Sequence, residues 1–199
     1  IQSYSWPNLL SGHDTIGIAR TGSGKTLSFV IPVIQHIYSN YYATDAPSKQ
    51  VKRKVKEGPI ALIIAPNREL ANQINDVFHQ FNQFDVLHGS KRKAFTQSSP
   101  QKKKKLCQET LKSSDTPTTT YEQSTPIHIT SAVIVGGKHN RKSQIHELFE
   151  KPDVLIGTPG RLLDFLTADV FRLWRCSMVV LDEADCMLSM GFATQVQNI

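Results

Sequence analysis

Short apolar runs alternate with longer segments of helical periodicity along most of this chain. The runs are continuous and rich in β-branched residues, which is typical of strands buried on both faces of a sheet. They predict five strands, at 15–19, 60–65, 131–135, 154–157 and 178–181. The intervening segments repeat apolar residues every three or four positions and predict helices at 24–38, 69–81, 141–150 and 160–171. This alternation predicts an α/β fold: a doubly wound, mostly parallel sheet with helices on both faces.

Two polar stretches interrupt the pattern. Residues 88–128 combine lysine runs with Ser, Thr, Gln and Pro and have no apolar periodicity. Because long unstructured loops are uncommon inside a compact domain, this stretch is predicted to be a surface insertion. A smaller insertion is predicted at about 40–57. We therefore expect one domain over 1–199, incomplete at both ends, with these two basic, low-complexity insertions.

The net charge of +6 is concentrated in the same polar stretches. Residues 49–57 and 88–128 together carry more net positive charge than the whole chain, so the remainder is slightly acidic. Three interpretations stay open: electrostatic RNA binding, a nuclear import signal at 100–105, or a solvated insertion. Charge alone therefore does not indicate a nucleic-acid-binding surface on the folded part.

Cysteine and histidine usage argues against a disulfide framework and against a zinc site. The three cysteines are widely separated without any C-x-x-C pair, and the seven histidines show no metal-ligand spacing. No run approaches 18 apolar residues, and the first residues contain no signal-peptide pattern. We expect a soluble intracellular protein fragment with no membrane partner.

A phosphate-binding loop is indicated directly after the first predicted strand. Its glycines allow backbone N–H groups to approach phosphates, and the helix that follows adds a favourable dipole. Lys25 is expected to contact the β- and γ-phosphates, and the Thr26 hydroxyl to bind Mg²⁺. The predicted nucleotide-binding residues here are Thr21, Gly22, Ser23, Gly24, Lys25 and Thr26.

An acidic pair follows the last predicted strand and completes the expected nucleotide site. Carboxylates at the carboxyl end of this strand can reach a metal held by the phosphate loop if the two strands are neighbours. Asp182 is expected to hold Mg²⁺ with Thr26, partly through water, and Glu183 to polarise the attacking water. The predicted catalytic residues are Lys25, Asp182 and Glu183.

With Asp182-Glu183-Ala184-Asp185, the chain resembles the DEAD-box ATP-dependent RNA helicases, specifically their first, RecA-like P-loop NTPase domain. Ile1-Gln2 followed by Trp6-Pro7 resembles the family's glutamine motif. The resemblance implies that ATP is the nucleotide, that Gln2 contacts the adenine edge, and that Asp185 takes part in coupling between two domains.

The resemblance also implies a set of RNA-contacting residues. Each member follows a predicted strand, and glycine or proline shapes a tight turn there, so these groups can face a sugar-phosphate chain without recognising its sequence. Asn67 replaces the threonine usual in the family, and we expect this to alter one hydrogen bond to RNA. The set comprises Pro66, Asn67, Arg68, Glu69, Gly136, Gly137, Thr158, Pro159, Gly160 and Arg161.

The implied activity is ATP hydrolysis coupled to RNA strand separation in a longer protein. A second RecA-like domain would supply arginine fingers, so we expect the fragment alone to be nearly inactive. The expected protein is a monomer, nuclear or nucleolar, otherwise cytoplasmic. Two alternatives remain: a non-catalytic RNA-binding adaptor, and a DNA-directed helicase or translocase built on the same core. The nucleotide-site residues described above argue against the adaptor.

Overall fold

The centre of the fold is a parallel four-stranded sheet. The computed structural model describes residues 1–42, 58–83, 129–137 and 141–199. The strands lie in the order β2-β3-β1-β4, and every neighbouring pair is parallel. They are β1 (Ala61–Ile64), β2 (Ser131–Ile134), β3 (Val154–Gly157) and β4 (Met178–Leu181). Four of the five predicted strands, and the α/β fold class, are therefore confirmed.

Helices follow each strand and account for most of the remaining described residues. All four predicted helices are present, with ends that differ from the prediction by a few residues. Short helices at Gln2–Leu10, Ala184–Ser189 and Ala193–Gln197 were not predicted from periodicity. The last two have only six and five residues, too few turns to show it, and the first contains Pro7, which disfavours a helix interior. The helices are α1 (Gln2–Leu10), α2 (Lys25–Ile37), α3 (Arg68–Gln83), α4 (Arg141–Phe149), α5 (Pro159–Thr167), α6 (Ala184–Ser189) and α7 (Ala193–Gln197), with a π-helical turn at Tyr38–Tyr42.

Two apolar layers cover the two faces of the sheet. Alternate side chains of a strand point to opposite faces, so Ile63 packs with α2 and α3 whereas Leu62 packs with α4, α5 and α6. Because both faces are covered, β1 and β3 are buried along their whole length. This arrangement holds the strands rigidly and leaves the turns at their ends available for binding.

The strand predicted at 15–19 is wrong. Residues 13–20 form no regular element, and the side chains of Ile16 and Ile18 are 93% and 94% exposed. A strand needs a hydrogen-bonding neighbour as well as an apolar pattern, and within the described ranges β4 is an edge strand with no partner on its outer side. Val179 and Leu181 of β4 are correspondingly exposed, so the expectation of burial on both faces does not hold for this strand either.

Most of the two predicted insertions lies outside the described residues. Only residues 40–42 of the stretch at about 40–57 are described, where they end the π-helical turn, and none of residues 88–128 is. The described residues all belong to one compact unit. Within the described ranges, no helix combines the length and the apolar character needed to cross a membrane.

Candidate nucleotide and RNA site

The turns that carry the predicted site residues lie along one edge of the sheet. Because all four strands are parallel, their carboxyl ends meet at the same edge. Across the sheet, from β2 to β4, these turns begin at Gly136, Thr158, Ala65 and Asp182. The predicted RNA-contacting turns are therefore adjacent to one another and next to the acidic pair.

The phosphate loop leads into α2, which begins at Lys25. Gly22 and Gly24 have φ angles of 74° and 84°, a left-handed conformation that glycine adopts without a steric penalty. Gly24 is the N-cap of α2, so the free N–H groups of the first helical turn and the positive end of the helix dipole are directed at the loop. Thr21 and Ser23 are exposed, and Lys25 and Thr26 are half-buried. The loop has the backbone conformation that an anion site requires.

Helix α1 packs against this loop and holds Gln2 beside it. The Gln2 side-chain amide donates to the Gly24 carbonyl at 3.3 Å, and the Trp6 indole donates to the Leu27 carbonyl at 3.2 Å. A Cβ atom on Gly24 would lie 2.5 Å from Gln2 Nε2. The structure therefore brings Gln2 to the phosphate loop, and its contact with adenine stays a prediction.

Asp182 is a buried carboxylate whose pKa is affected by Lys25 of the phosphate loop. It is 9% exposed, and its Oδ1 accepts a hydrogen bond from the Glu183 N–H at 3.0 Å. Burial raises the pKa of Asp182, as does the charge of Glu183, whereas the hydrogen bond from Glu183 and the charge of Lys25 lower that pKa. Lys25 and Asp182 are therefore close enough to interact electrostatically across the site.

Glu183 has an uncommon backbone conformation at the start of α6. Its φ and ψ angles are 52° and 48°, the left-handed region, in which a residue other than glycine is strained. Strain of this kind is concentrated at functional sites, where the surrounding structure maintains it. Asp185 lies in the first turn of the same helix.

The residues at this site fit a magnesium ion bound together with phosphates. A buried carboxylate is costly when ionised, and a cation would offset that cost at Asp182. Thr26 lies in the first turn of α2 and offers a hydroxyl oxygen. The described part of the chain contains no group of three or more His, Cys, Asp and Glu that could hold a metal. Magnesium in nucleotide sites uses one or two protein ligands plus phosphates and water, so a protein-only cluster is not required.

The turn after β1 begins α3, and Asn67 caps this helix. Asn67 Oδ1 accepts a hydrogen bond from the Leu70 N–H at 2.8 Å, which satisfies one of the free donors of the first turn. Pro66 is buried, and Arg68 and Glu69 are exposed beside it. The side-chain oxygen of Asn67 is thus engaged with the protein backbone, and the expected change of one hydrogen bond to RNA at this residue stays a prediction.

The turn at Gly136 and Gly137 contacts the other two turns that are predicted to bind RNA. Gly137 has a φ of 94°, and a Cβ atom there would lie 2.8 Å from Arg68 Nη1, so the guanidinium packs on the glycine. The Gly136 N–H donates to Thr158 Oγ1 at 3.4 Å, and the Thr158 N–H donates to the Ile134 carbonyl at 3.1 Å. The three turns therefore form one continuous surface.

Arg161 is held within that surface instead of extending freely from it. Its side chain is 15% exposed, lies 3.8 Å from the Asp164 carboxylate, and stacks 5.4 Å from the centre of the Phe165 ring. Pro159 and Gly160 form the first turn of α5, where Pro159 is buried and no atom lies within 4 Å of a Cβ built on Gly160. Arg161 is thus pre-positioned by protein contacts.

One residue near Arg161 was missed by sequence reasoning. Gln144 of α4 is buried and accepts a hydrogen bond from Arg161 Nη1 at 3.4 Å. It belongs to none of the motifs quoted above. A signal was nevertheless present, because Gln144 lies four positions before Leu148 and so places a polar group on the buried face of the helix.

Comparison with known proteins shows which family the chain is similar to. A family model described as DEAD/DEAH box helicase matches residues 1–124 and 118–199. The chain is 37% identical over its whole length to DEAD-box ATP-dependent RNA helicase 5 of Arabidopsis thaliana, and 36% identical to the pre-mRNA-processing ATP-dependent RNA helicase PRP5 of Candida albicans. It covers 28% and 17% of those two proteins.

A solved structure is also similar to this chain. The crystal structure of the yeast DEAD-box splicing factor Prp28 matches 93% of this chain and 32% of its own, with a TM-score of 0.64 and 30% identity. The chain thus spans less than a third of the length of each of these three proteins. Since the family model covers every residue, the chain belongs to the DEAD/DEAH box helicase family.

Proposed function

We propose that this chain is the ATP-binding and RNA-binding first domain of an ATP-dependent RNA helicase, which couples ATP hydrolysis to RNA strand separation in the full-length protein. The observation that carries the proposal is the effect of the Lys25 charge, which lowers the pKa of Asp182. This effect supports a single site formed by the phosphate loop and the acidic pair, as hydrolysis of a bound triphosphate requires. The Arabidopsis thaliana and Candida albicans relatives, both named as ATP-dependent RNA helicases, support the choice of nucleotide and substrate.

The residues of this site have different roles in binding and hydrolysis. The N–H groups at the start of α2 and the Lys25 ammonium bind and orient the phosphates, and Gln2 contacts the adenine. Thr26 and Asp182 hold Mg²⁺, which when bound supplies a positive charge against the charge that develops on the phosphates. Glu183 orients the attacking water and accepts its proton.

RNA binds along the neighbouring turns. Arg68 and Arg161 contribute positive charge, and the N–H groups of Gly160 and Arg161, in the first turn of α5, contact phosphates independently of sequence. Because the turns are on the same sheet edge as the nucleotide site, a change in one is transmitted to the other through short, rigid connections. Closure of a second RecA-like domain would complete both sites, with Asp185 linking them.

Two substitutions in the full-length protein test the nucleotide site. Lys25→Ala removes the phosphate contact, and Glu183→Gln removes the base while keeping shape. Both are expected to lower RNA-stimulated ATP hydrolysis at least about 10²-fold, and Glu183→Gln is expected to keep nucleotide binding. The matched control is Glu150→Gln, the same chemical change at an exposed position before β3, on the opposite edge of the sheet.

The outcome separates the candidate functions. Hydrolysis that is undiminished in both variants contradicts the assignment of the site. Stimulation by DNA equal to that by RNA indicates a DNA-directed motor instead. RNA binding that collapses when residues 88–128 are deleted, with no ATP-dependent component left, indicates an adaptor.

We also propose a nuclear monomer, with support from the pre-mRNA-processing relative. Imaging of the tagged full-length protein tests its location. Sedimentation measures its assembly state, and a dimer at micromolar concentration would contradict the proposal.

A further inference from the structure

Gln144 is a buried polar side chain whose amide nitrogen and amide oxygen each form a hydrogen bond. It is 3% exposed, and its Nε2 donates to the Val135 carbonyl at 2.9 Å while its Oε1 accepts from Arg161 Nη1 at 3.4 Å. Because a buried amide without hydrogen-bond partners is costly, these contacts account for its position. The side chain therefore joins two segments that are distant in sequence.

Only an amide can make both contacts. A carboxylate has no proton to donate to the Val135 carbonyl, and an apolar side chain of the same length makes neither bond. Val135 is the residue directly before Gly136, and Arg161 lies in the first turn of α5. The amide thus fixes the base of the glycine turn relative to the guanidinium of Arg161.

The remaining contacts of Arg161 leave its orientation dependent on this bond. The Phe165 ring supports one face of the guanidinium, at 5.4 Å from the ring centre, and Asp164 is 3.8 Å away with a half-exposed side chain. Arg141 stacks at 5.4 Å from the same ring and lies 3.8 Å from the other oxygen of the same carboxylate, so the two arginines share both groups. Gln144 Oε1 accepts its hydrogen bond from Arg161, and this bond distinguishes the positions of the two arginines.

We propose that Gln144 is a positioning residue for RNA binding, which acts through Arg161 and holds it in register with the turn at Gly136. The inference rests on the proposed function, since it requires Arg161 to face RNA. Gln144 itself contacts no RNA. Its removal is expected to weaken RNA binding about tenfold, the scale of a lost hydrogen bond to a charged group, and to leave ATP affinity unchanged.

A double-mutant cycle in the full-length protein tests the coupling. Gln144→Met is combined with Arg161→Met, and the dissociation constant for a single-stranded RNA is measured by fluorescence anisotropy together with the thermal midpoint. We expect Gln144→Met to weaken RNA binding in the wild-type background and to have no further effect when Arg161 is already methionine. His146→Met, the same replacement at an exposed position of α4, is the control.

A conservative replacement separates positioning from general stability. Gln144→Glu keeps the side-chain length and an acceptor for Arg161 but loses the donor to the Val135 carbonyl, so its RNA affinity is expected to lie between that of wild type and that of Arg161→Met. In ATPase assays, Gln144→Met should raise the RNA concentration for half-maximal stimulation and leave kcat at saturating RNA unchanged, which a general structural role would not do.

Several results would overturn the inference. Additive effects of the two methionine substitutions, or a folded Gln144→Glu protein that binds RNA no better than Arg161→Met, exclude positioning through Arg161. If Gln144→Met does not fold, the Gln144→Glu comparison decides. Wild-type protein that binds no RNA overturns the proposed function itself, and that result is distinct from a wild-type protein that binds RNA while Gln144 and Arg161 act independently.

Discussion

The two glycines after β2 are expected to tolerate alanine very differently, although they are adjacent and have the same place in the motif. Gly137 has a φ of 94°, and an added Cβ would lie 2.8 Å from Arg68 Nη1. Gly136 has no positive φ, and no atom lies within 4 Å of a Cβ built on it. Gly137→Ala should therefore destabilise the fold, and Gly136→Ala should not.

The expected magnitude follows from the backbone. A left-handed conformation costs a residue with a Cβ about 1–2 kcal/mol, which corresponds to a fall of roughly 2–8 °C in the thermal midpoint of a chain of this size. The contact with Arg68 adds little to this, because the far end of a flexible side chain can move. Gly136→Ala should change the free energy of unfolding by less than about 0.5 kcal/mol.

Gly137→Ala is expected to affect RNA binding because the added Cβ displaces the Arg68 guanidinium. If Arg68 faces RNA as proposed, moving it should weaken RNA binding about tenfold in Gly137→Ala. Repeating the substitution in an Arg68→Ala background separates the two effects, since the loss of stability should persist and the further loss of RNA affinity should disappear.

Thermal unfolding by circular dichroism measures the first quantity, and anisotropy with a labelled RNA measures the second. Equal destabilisation by alanine at Gly136 and Gly137 would refute the argument from backbone conformation. A further tenfold loss of RNA affinity in the Arg68→Ala background would refute the argument from the displaced guanidinium.

Two further substitutions test the packing and the electrostatics of the sheet edge. Gly157→Ala would place a Cβ 2.7 Å from the Ile134 carbonyl oxygen and 2.8 Å from the Leu162 side chain, so urea unfolding should show a loss of about 1–3 kcal/mol, whereas Gly160→Ala should show none. Asp182→Asn should raise the thermal midpoint at neutral pH, because burial raises the pKa of Asp182 and its ionised form is costly. That gain should shrink as the pH falls through the folded-state pKa toward the ordinary value of about 3.9, where the wild-type carboxyl is also neutral, and a gain that persists there contradicts the reasoning.

The sequence predicted the four paired strands and four of the helices because their signals are local. A run such as Val154–Gly157 is apolar at every position, and α3 repeats its apolar residues at helical spacing. The phosphate loop and the acidic pair were found in the same way, since each is a few consecutive residues at or directly before the start of a helix. The segment at 15–19 shows the limit of this reasoning. Its pattern is that of a strand, but a strand also needs a neighbour, and a one-dimensional pattern does not provide one.

The residues that provide the chemistry of the candidate site belong to short consecutive motifs, and these motifs were predicted from the sequence alone. The distances between the motifs could not be predicted from the sequence, because they depend on which strands become neighbours. The order β2-β3-β1-β4 brings the turns at Gly136, Thr158 and Pro66 together and puts Asp182 at the end of the neighbouring strand β4. The tertiary structure likewise places Arg68 next to Gly137 and not next to Gly136, and it provides Gln144 with its two hydrogen-bond partners. Such differences arise from contacts between residues remote in sequence, and those contacts exist only after the sheet has assembled.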